Sequence, residues 1–560
     1  MRARARVALA AAVPALLGMS GLGAAATATA ASAARVACAA RPTAAGYVRA
    51  ENRRPGSTGW RYTARADTGL AAYADTTSAR CGRTVRLMVS TRAPKATVTA
   101  WRMGYYGGAG ARAVYTSRPF RTRSQPAAVI APATRTPRAR WSATTSIAID
   151  GRFVPGSYLL KITDSRGGQA YVPLTVTDPA SRSPLVLMSE PLTWTAYNLW
   201  GGISAYRSAT RADVRAVVAS LDRPYQSNHG MATYLTDEYP LVRLAEKRGL
   251  DVAYVTDLDV DASPQLLLRH RGVLLGAHAE YWTTRMRDGF DAARDAGVNI
   301  ALFGANTAYW NVRMVPATTG SKRAFAIYRE ARRDPMTAVN PAASSIRFRD
   351  LPRARPEGKL FGQQYMGCPG GNADLVLTAP GWPLPAGTRA GTVLPMGVRR
   401  EFDRVNADAL PESAAVQILA GAAVRGCPRN AGRTFYANVA YYTARSGAGV
   451  FAAGSLGWVC HLYGTTCAYG GATAVRTRAV FTAATINLLS AMAVGPLGAT
   501  HPSRATATAI PPRALTDGTS IISGDADDDG TESRPDGEGP AASWLPPADL
   551  TADVWSGIVQ

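Results

Sequence analysis

The sequence predicts an all-β part followed by an α/β part, and three observations support this. Of the 560 residues, 47% are hydrophobic and 18% are charged, which is enough apolar material for a sizeable core. Apolar and polar residues alternate in short stretches over residues 44–178. Short apolar runs alternate with segments of helical period over residues 184–498. We therefore expect two domains within these bounds.

Residues 1–34 have the pattern of a secretory signal peptide. Arg2, Arg4 and Arg6 precede an apolar run, and Ala-x-Ala patterns follow near Ala30 and Ala33. A basic start, a short apolar stretch and a small-residue cleavage site are typical of such peptides. The apolar run is broken by Gly and is marginal against the roughly 20 residues that span a bilayer. The sequence predicts a secreted protein without stable membrane insertion.

Six cysteines in a secreted chain favour three disulfides. Proximity along the chain suggests the pairs Cys38–Cys81, Cys368–Cys427 and Cys460–Cys467, although six cysteines allow many other pairings. No two cysteines have the Cys-x-x-Cys spacing, which disfavours a zinc ribbon or a thioredoxin-like site.

Four stretches of alternating polarity predict half-buried strands in the first domain. They are residues 83–90, 96–101, 157–163 and 170–176. The last two flank a turn rich in Asp, Ser and Gly, which predicts a hairpin. Short strands at this spacing, without helical periodicity, predict an immunoglobulin-like β-sandwich over residues 44–178.

The second domain shows the alternation of strand and helix that is typical of α/β proteins. Predicted buried strands are 185–189, 250–256, 272–278 and 298–304, and predicted helices are 239–247, 283–296 and 476–492. This order indicates βαβ units and a parallel sheet covered on both faces. Residues 320–475 are less regular, with strand-like pieces at 436–442 and 449–454.

Residues 501–560 are rich in Pro, Asp, Gly and Thr, which predicts a disordered acidic tail. Within the tail, residues 525–536 begin like a calcium-binding loop. Glu532 occupies a position that is usually apolar in such loops, and the flanking segments lack a helical pattern. We interpret the stretch as a solvated acidic run rather than a calcium site.

The formal charge of +24 does not indicate nucleic-acid binding, because the basic residues are scattered. No run of Lys and Arg is longer than two residues, whereas nucleic-acid grooves present a concentrated basic stripe. We expect no nucleic-acid partner, although the charge would permit loose contact with an anionic cell wall. The sequence leaves the oligomeric state open.

The candidate functional residues follow the predicted strands of the α/β domain. The signatures of Ser hydrolases, nucleotide-binding loops and zinc proteases are absent from the sequence. Ligands of open parallel sheets bind beyond the carboxyl ends of the strands. The residues at these ends are Glu190, Trp194, Tyr197 and Asn198, then His278, Glu280, Tyr281 and Trp282, then Asn306, Tyr309 and Trp310. Spacing alone slightly favours core packing for the aromatic residues.

Five motifs in order carry a family resemblance. They are Trp101-Arg-Met-Gly-Tyr-Tyr-Gly-Gly, His278-x-Glu-Tyr-Trp, Gly304-Ala-Asn-x-x-Tyr-Trp, Arg400-Glu-Phe-Asp-Arg-Val and Ser446-Gly-Ala-Gly-Val-Phe. Together they resemble the large (beta) subunit of N,N-dimethylformamidase over roughly residues 65–495. The resemblance implies that residues 184–498 form a three-layer α/β domain similar to class I glutamine amidotransferases.

The same resemblance implies a mononuclear Fe³⁺ held by two tyrosinates and one glutamate. Carried over by motif, the metal ligands would be Tyr281, Tyr309 and Glu401. Hard oxygen donors suit this cation, and a phenol with an ordinary pKa of about 10 ionises when bound to it. The ligand set implied by the family is thus chemically suited to the metal.

The implied reaction is hydrolysis of an amide by metal-activated water. Asn306 would stabilise the oxyanion, and Glu280 or His278 would protonate the amine, or else orient a metal ligand. Ala279 stands where many relatives carry Asp, and the chain is predicted to be exported. We therefore expect a small amide-like substrate other than dimethylformamide.

The alternative function is non-catalytic binding of carbohydrate or peptidoglycan in the cell envelope. In that case Trp194, Tyr197, Tyr281 and Trp310 would stack on sugar rings. Colour distinguishes the two functions, because tyrosinate bound to Fe³⁺ gives visible charge-transfer absorption, whereas an iron-free envelope-binding protein is colourless.

Overall fold

A computed structural model describes residues 36–39, 43–63, 68–316, 323–379, 381–412, 414–426, 434–464, 467 and 472–505. The predicted signal peptide, Cys427 of the second predicted disulfide, and the predicted tail from residue 506 onwards lie outside these residues. The described part combines many β-strands with fewer helices, as expected for an all-β part joined to an α/β part.

The N-terminal strands form two main sheets. The strands are β1 (Ala71–Ala74), β2 (Ser78–Arg80), β3 (Thr84–Ser90), β4 (Lys95–Met103), β5 (Ala111–Thr116), β6 (Phe120–Arg121), β7 (Val129–Ala131), β8 (Thr136–Arg138), β9 (Thr145–Ala148), β10 (Gly156–Asp164) and β11 (Gln169–Thr177). One sheet has the order β1-β3-β9, and the other has the order β2-β11-β10-β4-β5 with β6 paired to β4. β7 and β8 pair separately. The predicted hairpin is confirmed, since β10 and β11 pair antiparallel.

The two N-terminal sheets share one apolar core. Leu87 and Val89 of β3 meet Leu160 and Ile162 of β10 in this core. These residues lie two apart along their strands, so their side chains share one face of each sheet. The alternating pattern of the sequence is therefore the pattern of two sheets packed face to face.

The remaining strands build a second, larger sheet and smaller companions. They are β12 (Leu185–Ser189), β13 (Val218–Ser220), β14 (Val252–Thr256), β15 (Gly272–Leu275), β16 (Tyr281–Thr283), β17 (Asn299–Leu302), β18 (Trp310–Val315), β19 (Ala324–Ala326), β20 (Gln364–Gly367), β21 (Ala373–Leu377), β22 (Val393–Val398), β23 (Phe402–Arg404), β24 (Gln417–Arg425), β25 (Thr434–Thr443) and β26 (Gly449–Ala452). The large sheet has the order β14-β12-β15-β17-β26-β25-β24-β21-β22. Its strands from β14 to β26 are parallel, and those from β26 to β22 are antiparallel.

The helices are short apart from the last one. They are α1 (Tyr47–Asn52), α2 (Pro191–Tyr197), α3 (Tyr234–Asp237), α4 (Tyr239–Lys247), α5 (Asp257–Ala262), α6 (Thr284–Asp295), α7 (Met336–Val339), α8 (Gly358–Phe361), α9 (Gly457–Cys460) and α10 (Val475–Met492). No helix among the described residues has the length and apolar character needed to cross a bilayer.

Helices cover both faces of the parallel strands. Phe290 of α6 packs with Val186 of β12 on one face. Leu241 of α4 and Leu488 of α10 pack with Leu185 on the other. Neighbouring residues of a strand point to opposite faces, so Leu185 and Val186 serve two separate cores. The predicted parallel strands with helices on both faces are confirmed, but they continue into antiparallel strands, so the large sheet is mixed rather than parallel.

Two disulfides and the contacts of His501 are further features of the described part. The predicted pairs Cys38–Cys81 and Cys460–Cys467 are disulfide-bonded. The first residues assigned to the tail contact the large sheet: the ring of His501 stacks on Trp382 with centroids 4.0 Å apart, and the Tyr441 hydroxyl donates to the His501 carbonyl at 2.7 Å.

Candidate active site

The candidate site lies where neighbouring parallel strands end. Glu190 follows β12, His278 lies after β15 and Asn306 lies after β17, so their backbones meet at the carboxyl edge of the sheet. Gly304 permits the last two segments to approach closely, because a Cβ there would lie 1.7 Å from the carbonyl oxygen of Ala277. The segments after β15 and β17 can therefore lie this close only because residue 304 has no side chain.

The side chains of Tyr197, Tyr206, Glu280 and Tyr281 form a phenol–carboxylate cluster. The Tyr197 hydroxyl donates to Glu280 Oε2 at 2.7 Å. The Tyr206 hydroxyl lies 2.9 Å from each carboxylate oxygen of Glu280 and also hydrogen-bonds to the Tyr281 hydroxyl. Tyr206, Glu280 and Tyr281 are buried. Several hard oxygen donors thus converge on one point.

Two elements supply this cluster. Tyr197 is the last residue of α2, and Tyr206 lies in the loop after it. Tyr281 begins β16, which pairs in parallel with β18 so that Tyr281 lies opposite Trp310. The Glu280 amide donates to the hydroxyl of Thr193 in α2 at 3.1 Å, which ties the segment before β16 to the helix.

A buried ion pair borders the cluster. His278 Nε2 lies 3.2 Å from Glu401 Oε2 and 3.4 Å from Glu280 Oε2, and neither His278 Nε2 nor Glu401 Oε2 makes a well-aligned hydrogen bond among the described residues. Burial alone would lower the pKa of His278, but the charge of Glu401 and then of Glu280 outweighs burial and raises it to about 10. The two neighbouring carboxylates therefore favour the imidazolium form of His278.

The carboxylates of the site have opposite pKa shifts. Burial alone would raise the pKa of Glu401, but the positive charge of His278 outweighs burial and lowers it. Burial raises the pKa of Glu280, although His278 opposes this. Burial and then the charge of Glu280 raise the pKa of Tyr206 well above the ordinary phenol value. The Tyr206 phenol therefore carries its proton and donates to Glu280 in this structure.

Asn306 adopts a fixed backbone conformation beside the ion pair. Its φ of 56° lies in the left-handed region, and its backbone N–H donates to Asp403 Oδ1 at 2.9 Å. Burial raises the pKa of Asp403 to about 8. The Asn306 side chain helps to lower the pKa of Glu401, and its buried Oδ1 has no hydrogen-bond partner among the described residues. Asn306 thus offers a buried polar atom that a ligand can satisfy.

Five of the six residues predicted from the sequence to be metal ligands or catalytic groups meet in the structure. His278, Glu280, Tyr281, Asn306 and Glu401 are linked by the contacts described above. The strand-end residues Trp194 and Asn198 support the site's frame instead: the Trp194 ring packs against Tyr225 and Tyr234, and Asn198 donates to the Pro224 carbonyl at 2.8 Å.

Tyr309 packs among aromatic rings. Its centroid lies 4.9 Å from that of Trp310 and 5.2 Å from that of Tyr365, and the Arg349 guanidinium lies 5.1 Å from its ring. Its amide donates to the Glu280 carbonyl at 3.0 Å, so its backbone adjoins the site. The ring contacts of Tyr309 are those expected for core packing.

Sequence reasoning did not single out Tyr206 and Arg329. Tyr206 follows two glycines in an irregular loop, and Arg329 lies in the irregular segment after β19. Arg329 donates from Nη2 to the Tyr281 hydroxyl at 2.7 Å. The one available signal was the proximity of Tyr206 to Tyr197, which the sequence analysis had already selected after the first predicted strand.

Phenols dominate the donor set of the cluster. Among the residues the structure describes, no group of three or more His, Cys, Asp or Glu side chains is arranged to hold a metal ion. The phenol–carboxylate cluster contains one carboxylate and three tyrosines, a composition that suits a hard trivalent cation better than zinc.

Comparisons with known proteins identify the family. The family model for the N,N-dimethylformamidase beta subunit-like C-terminal region matches residues 97–470. No curated protein gives a match. A cycloisomaltooligosaccharide glucanotransferase from Paenibacillus sp., solved with cycloisomaltoheptaose, has 7% identity and a TM-score of 0.16 over 55% of this chain and 61% of that one, which is too low to bear on fold or function. Because the family match covers more than half of the sequence, the chain belongs to the N,N-dimethylformamidase beta subunit-like family.

Proposed function

We propose that the protein is a secreted, iron-dependent hydrolase of amide or related C–N bonds. Membership of the N,N-dimethylformamidase beta subunit-like family supports amide hydrolysis. The observation that carries the metal proposal is the convergence of the Tyr197 and Tyr206 hydroxyls on the Glu280 carboxylate, at 2.7 and 2.9 Å. Two phenols and one carboxylate are the donor set that the family resemblance implies.

The contacts support a ligand set of Tyr197, Tyr206 and Glu280 in place of Tyr281, Tyr309 and Glu401. Both phenols of the first set reach one carboxylate, whereas Glu401 pairs with His278 and the Tyr309 ring packs among aromatic side chains. These residues fit a ferric ion, because hard oxygen donors suit it and phenols ionise on binding it. A mononuclear Fe³⁺ bound there would polarise a carbonyl and lower the pKa of a bound water.

The residues beside the cluster can handle the protons of the reaction. In amide hydrolysis water adds to the carbonyl carbon, the C–N bond breaks, and the amine nitrogen gains one proton. His278 Nε2 faces Glu280 and Glu401, whose charges favour its protonated form, so it can donate a proton to the departing nitrogen. The proton that the attacking water releases then restores the protonated His278. Glu401 stabilises the imidazolium, and the side-chain N–H of Asn306 that does not serve Glu401 can donate to the substrate oxygen.

Disulfide formation supports export. The bonds Cys38–Cys81 and Cys460–Cys467 are typical of proteins that fold in an oxidising compartment. We also propose that the N-terminal pair of sheets is immunoglobulin-like over residues 44–178 and that residues 184–498 resemble class I glutamine amidotransferases. The face-to-face packing of the first and the helix-covered parallel sheet of the second support these assignments.

Burial of the aromatic residues supports the hydrolase over the carbohydrate-binding alternative. Sugar stacking needs an accessible ring face, but Trp194, Tyr281 and Trp310 are at most 6% exposed. Only Tyr197 of the four proposed stacking residues is partly exposed.

Metal analysis of the purified mature protein tests the proposal. We expect close to one iron per chain, a visible tyrosinate-to-iron charge-transfer band, and release of amine from small neutral amides. A colourless, iron-free preparation that binds cell wall and hydrolyses no amide would overturn the proposal in favour of the envelope-binding alternative.

A further inference from the structure

We infer that Arg329 is a positioning residue that fixes the ring of Tyr206 and tunes its strength as an electron donor. The inference rests on the proposed function, because it assigns Tyr206 as an iron ligand. The guanidinium carbon of Arg329 lies 3.9 Å from the centroid of the Tyr206 ring.

Arg329 also contacts two other rings of the site. Its Nη2 donates to the Tyr281 hydroxyl at 2.7 Å, and its guanidinium carbon lies 5.0 Å from the Trp310 ring centroid. Tyr281 in turn hydrogen-bonds to the Tyr206 hydroxyl. Arg329 therefore lies against the face of the Tyr206 ring and is linked to the Tyr206 hydroxyl through Tyr281.

The backbone around Arg329 is held in place. Its φ of 64° lies in the left-handed region, and its amide donates to the Ser345 carbonyl at 2.7 Å. Ser345 is fixed by Asp334, whose carboxylate accepts from both the amide and the hydroxyl of Ser345 at 2.7 and 2.8 Å. The Arg329 side chain is 6% exposed and its backbone is held by these hydrogen bonds. It therefore has little freedom to move away from the Tyr206 ring.

A cation over a ring face lowers the energy of the ring's π electrons. When the ring is a phenolate bound to Fe³⁺, more energy is then needed to move an electron from the ring to the metal. Removal of Arg329 should therefore shift the charge-transfer band of the iron protein to longer wavelength. Lysine at this position keeps the charge but lacks the planar group that stacks on the ring, so it should give a smaller shift.

Arg349 provides a matched control. Its guanidinium carbon lies 5.1 Å from the Tyr309 ring, and its charge is paired with Glu357 at 2.5 Å. If Tyr206 is the ligand, loss of Arg349 should leave the band in place. If Tyr309 is the ligand, the band of the Arg349 variant should move.

The experiment compares iron-loaded wild-type protein with Arg329→Met, Arg329→Lys and Arg349→Met, each as the full chain. Iron content, visible absorption and thermal unfolding are measured for all four. We expect a shift to longer wavelength in Arg329→Met, a smaller one in Arg329→Lys, and no shift in Arg349→Met. If Arg329→Met does not fold, Arg329→Lys decides the question.

Failure of the role of Arg329 can be distinguished from failure of the proposed function. Iron-loaded wild type with the band, but with the same band position in both Arg329 variants, would overturn the role of Arg329 alone. An equal shift in Arg349→Met would overturn it in favour of Tyr309. Wild type that binds no iron would overturn the proposed function and this inference together.

Discussion

Two buried polar clusters of this protein differ in how their charges are balanced. The first, which we call the interface cluster, contains Arg102 of β4 and Glu246 of α4, whose side chains are completely buried. Arg102 donates to both oxygens of Glu246 at 2.7 and 2.9 Å, and Tyr254 and Asn52 donate to the same carboxylate at 2.7 and 2.8 Å. Each oxygen of Glu246 therefore meets donors.

The phenol–carboxylate cluster is built differently. Its oxygens face one another, and the Tyr206 hydroxyl adjoins both oxygens of Glu280 as well as the Tyr281 hydroxyl. The neighbouring cations His278 and Arg329 lie at its border. In the interface cluster a guanidinium contacts both oxygens of the carboxylate. In the phenol–carboxylate cluster the carboxylate is met by phenol hydroxyls, which can become cation ligands when they lose their protons.

The largest expected effect concerns the pair of His278 and Glu401 beside the phenol–carboxylate cluster. Glu401→Gln keeps the shape of the side chain but removes the charge that stabilises the His278 imidazolium. We expect amide hydrolysis to fall by about 100-fold or more, which is the usual contribution of a proton-transfer group. Iron content should stay at the wild-type level, and its loss would instead make Glu401 a metal ligand. Amine release and metal analysis check the two outcomes.

The interface cluster should respond in stability. Arg102→Met leaves Glu246 buried without its charge partner, and loss of one partner of a buried pair costs about 3–5 kcal/mol. Urea unfolding of the iron-free protein measures the change. The exposed pair of Arg86 and Asp75 is the control, where Arg86→Ala should cost less than about 1 kcal/mol. A similar cost for both substitutions would remove the distinction between them.

A substitution at Gly304 tests whether the phenol–carboxylate cluster depends on the close approach of the segments after β15 and β17. In Gly304→Ala the new Cβ must displace the Ala277 carbonyl, so we expect a loss of about 3 kcal/mol and of activity. Gly371→Ala is the matched control, because a Cβ there has no atom within 4 Å. Equal stability of the two variants in urea unfolding would show that the loops after β15 and β17 adapt freely.

The smallest effect is the pH dependence of a second structural pair. Burial alone would raise the pKa of Asp334, but hydrogen bonds from Arg313 and Ser345 lower it to about 2. Because this folded-state pKa is below the ordinary value, the stabilisation is complete above about pH 4 and is lost as the pH falls towards 2. We expect wild type to lose up to about 2 kcal/mol relative to Asp334→Asn over this range. Parallel urea curves for the two proteins across the range would contradict the assignment.

The regular parts of the fold could be predicted because burial follows a simple period. The strand 185–189 and the helix 239–247 were predicted with the bounds that the structure gives them. The antiparallel half of the large sheet was not, since strands such as β21 and β22 are separated by long irregular segments and pair across register shifts. The apolar pattern in those strands is too short to predict their order in the sheet.

The candidate site could be predicted in its location but only partly in its members. Strand ends placed His278, Glu280 and Asn306 correctly at one edge of the sheet, because parallel strands bring their ends together. The position of Tyr206 depends on the path of a loop, and that of Arg329 on an irregular segment. No spacing rule connects such residues, so only the folded chain reveals their convergence.

Iron content of Tyr206→Phe beside Tyr309→Phe tests the central claim most directly, since each substitution removes one hydroxyl from a buried ring. If Tyr197, Tyr206 and Glu280 hold the metal, Tyr206→Phe loses the iron and the visible band, whereas Tyr309→Phe keeps both. Retention of iron by a folded Tyr206→Phe protein, with loss from Tyr309→Phe, would contradict the claim and restore the ligand set expected from the motifs.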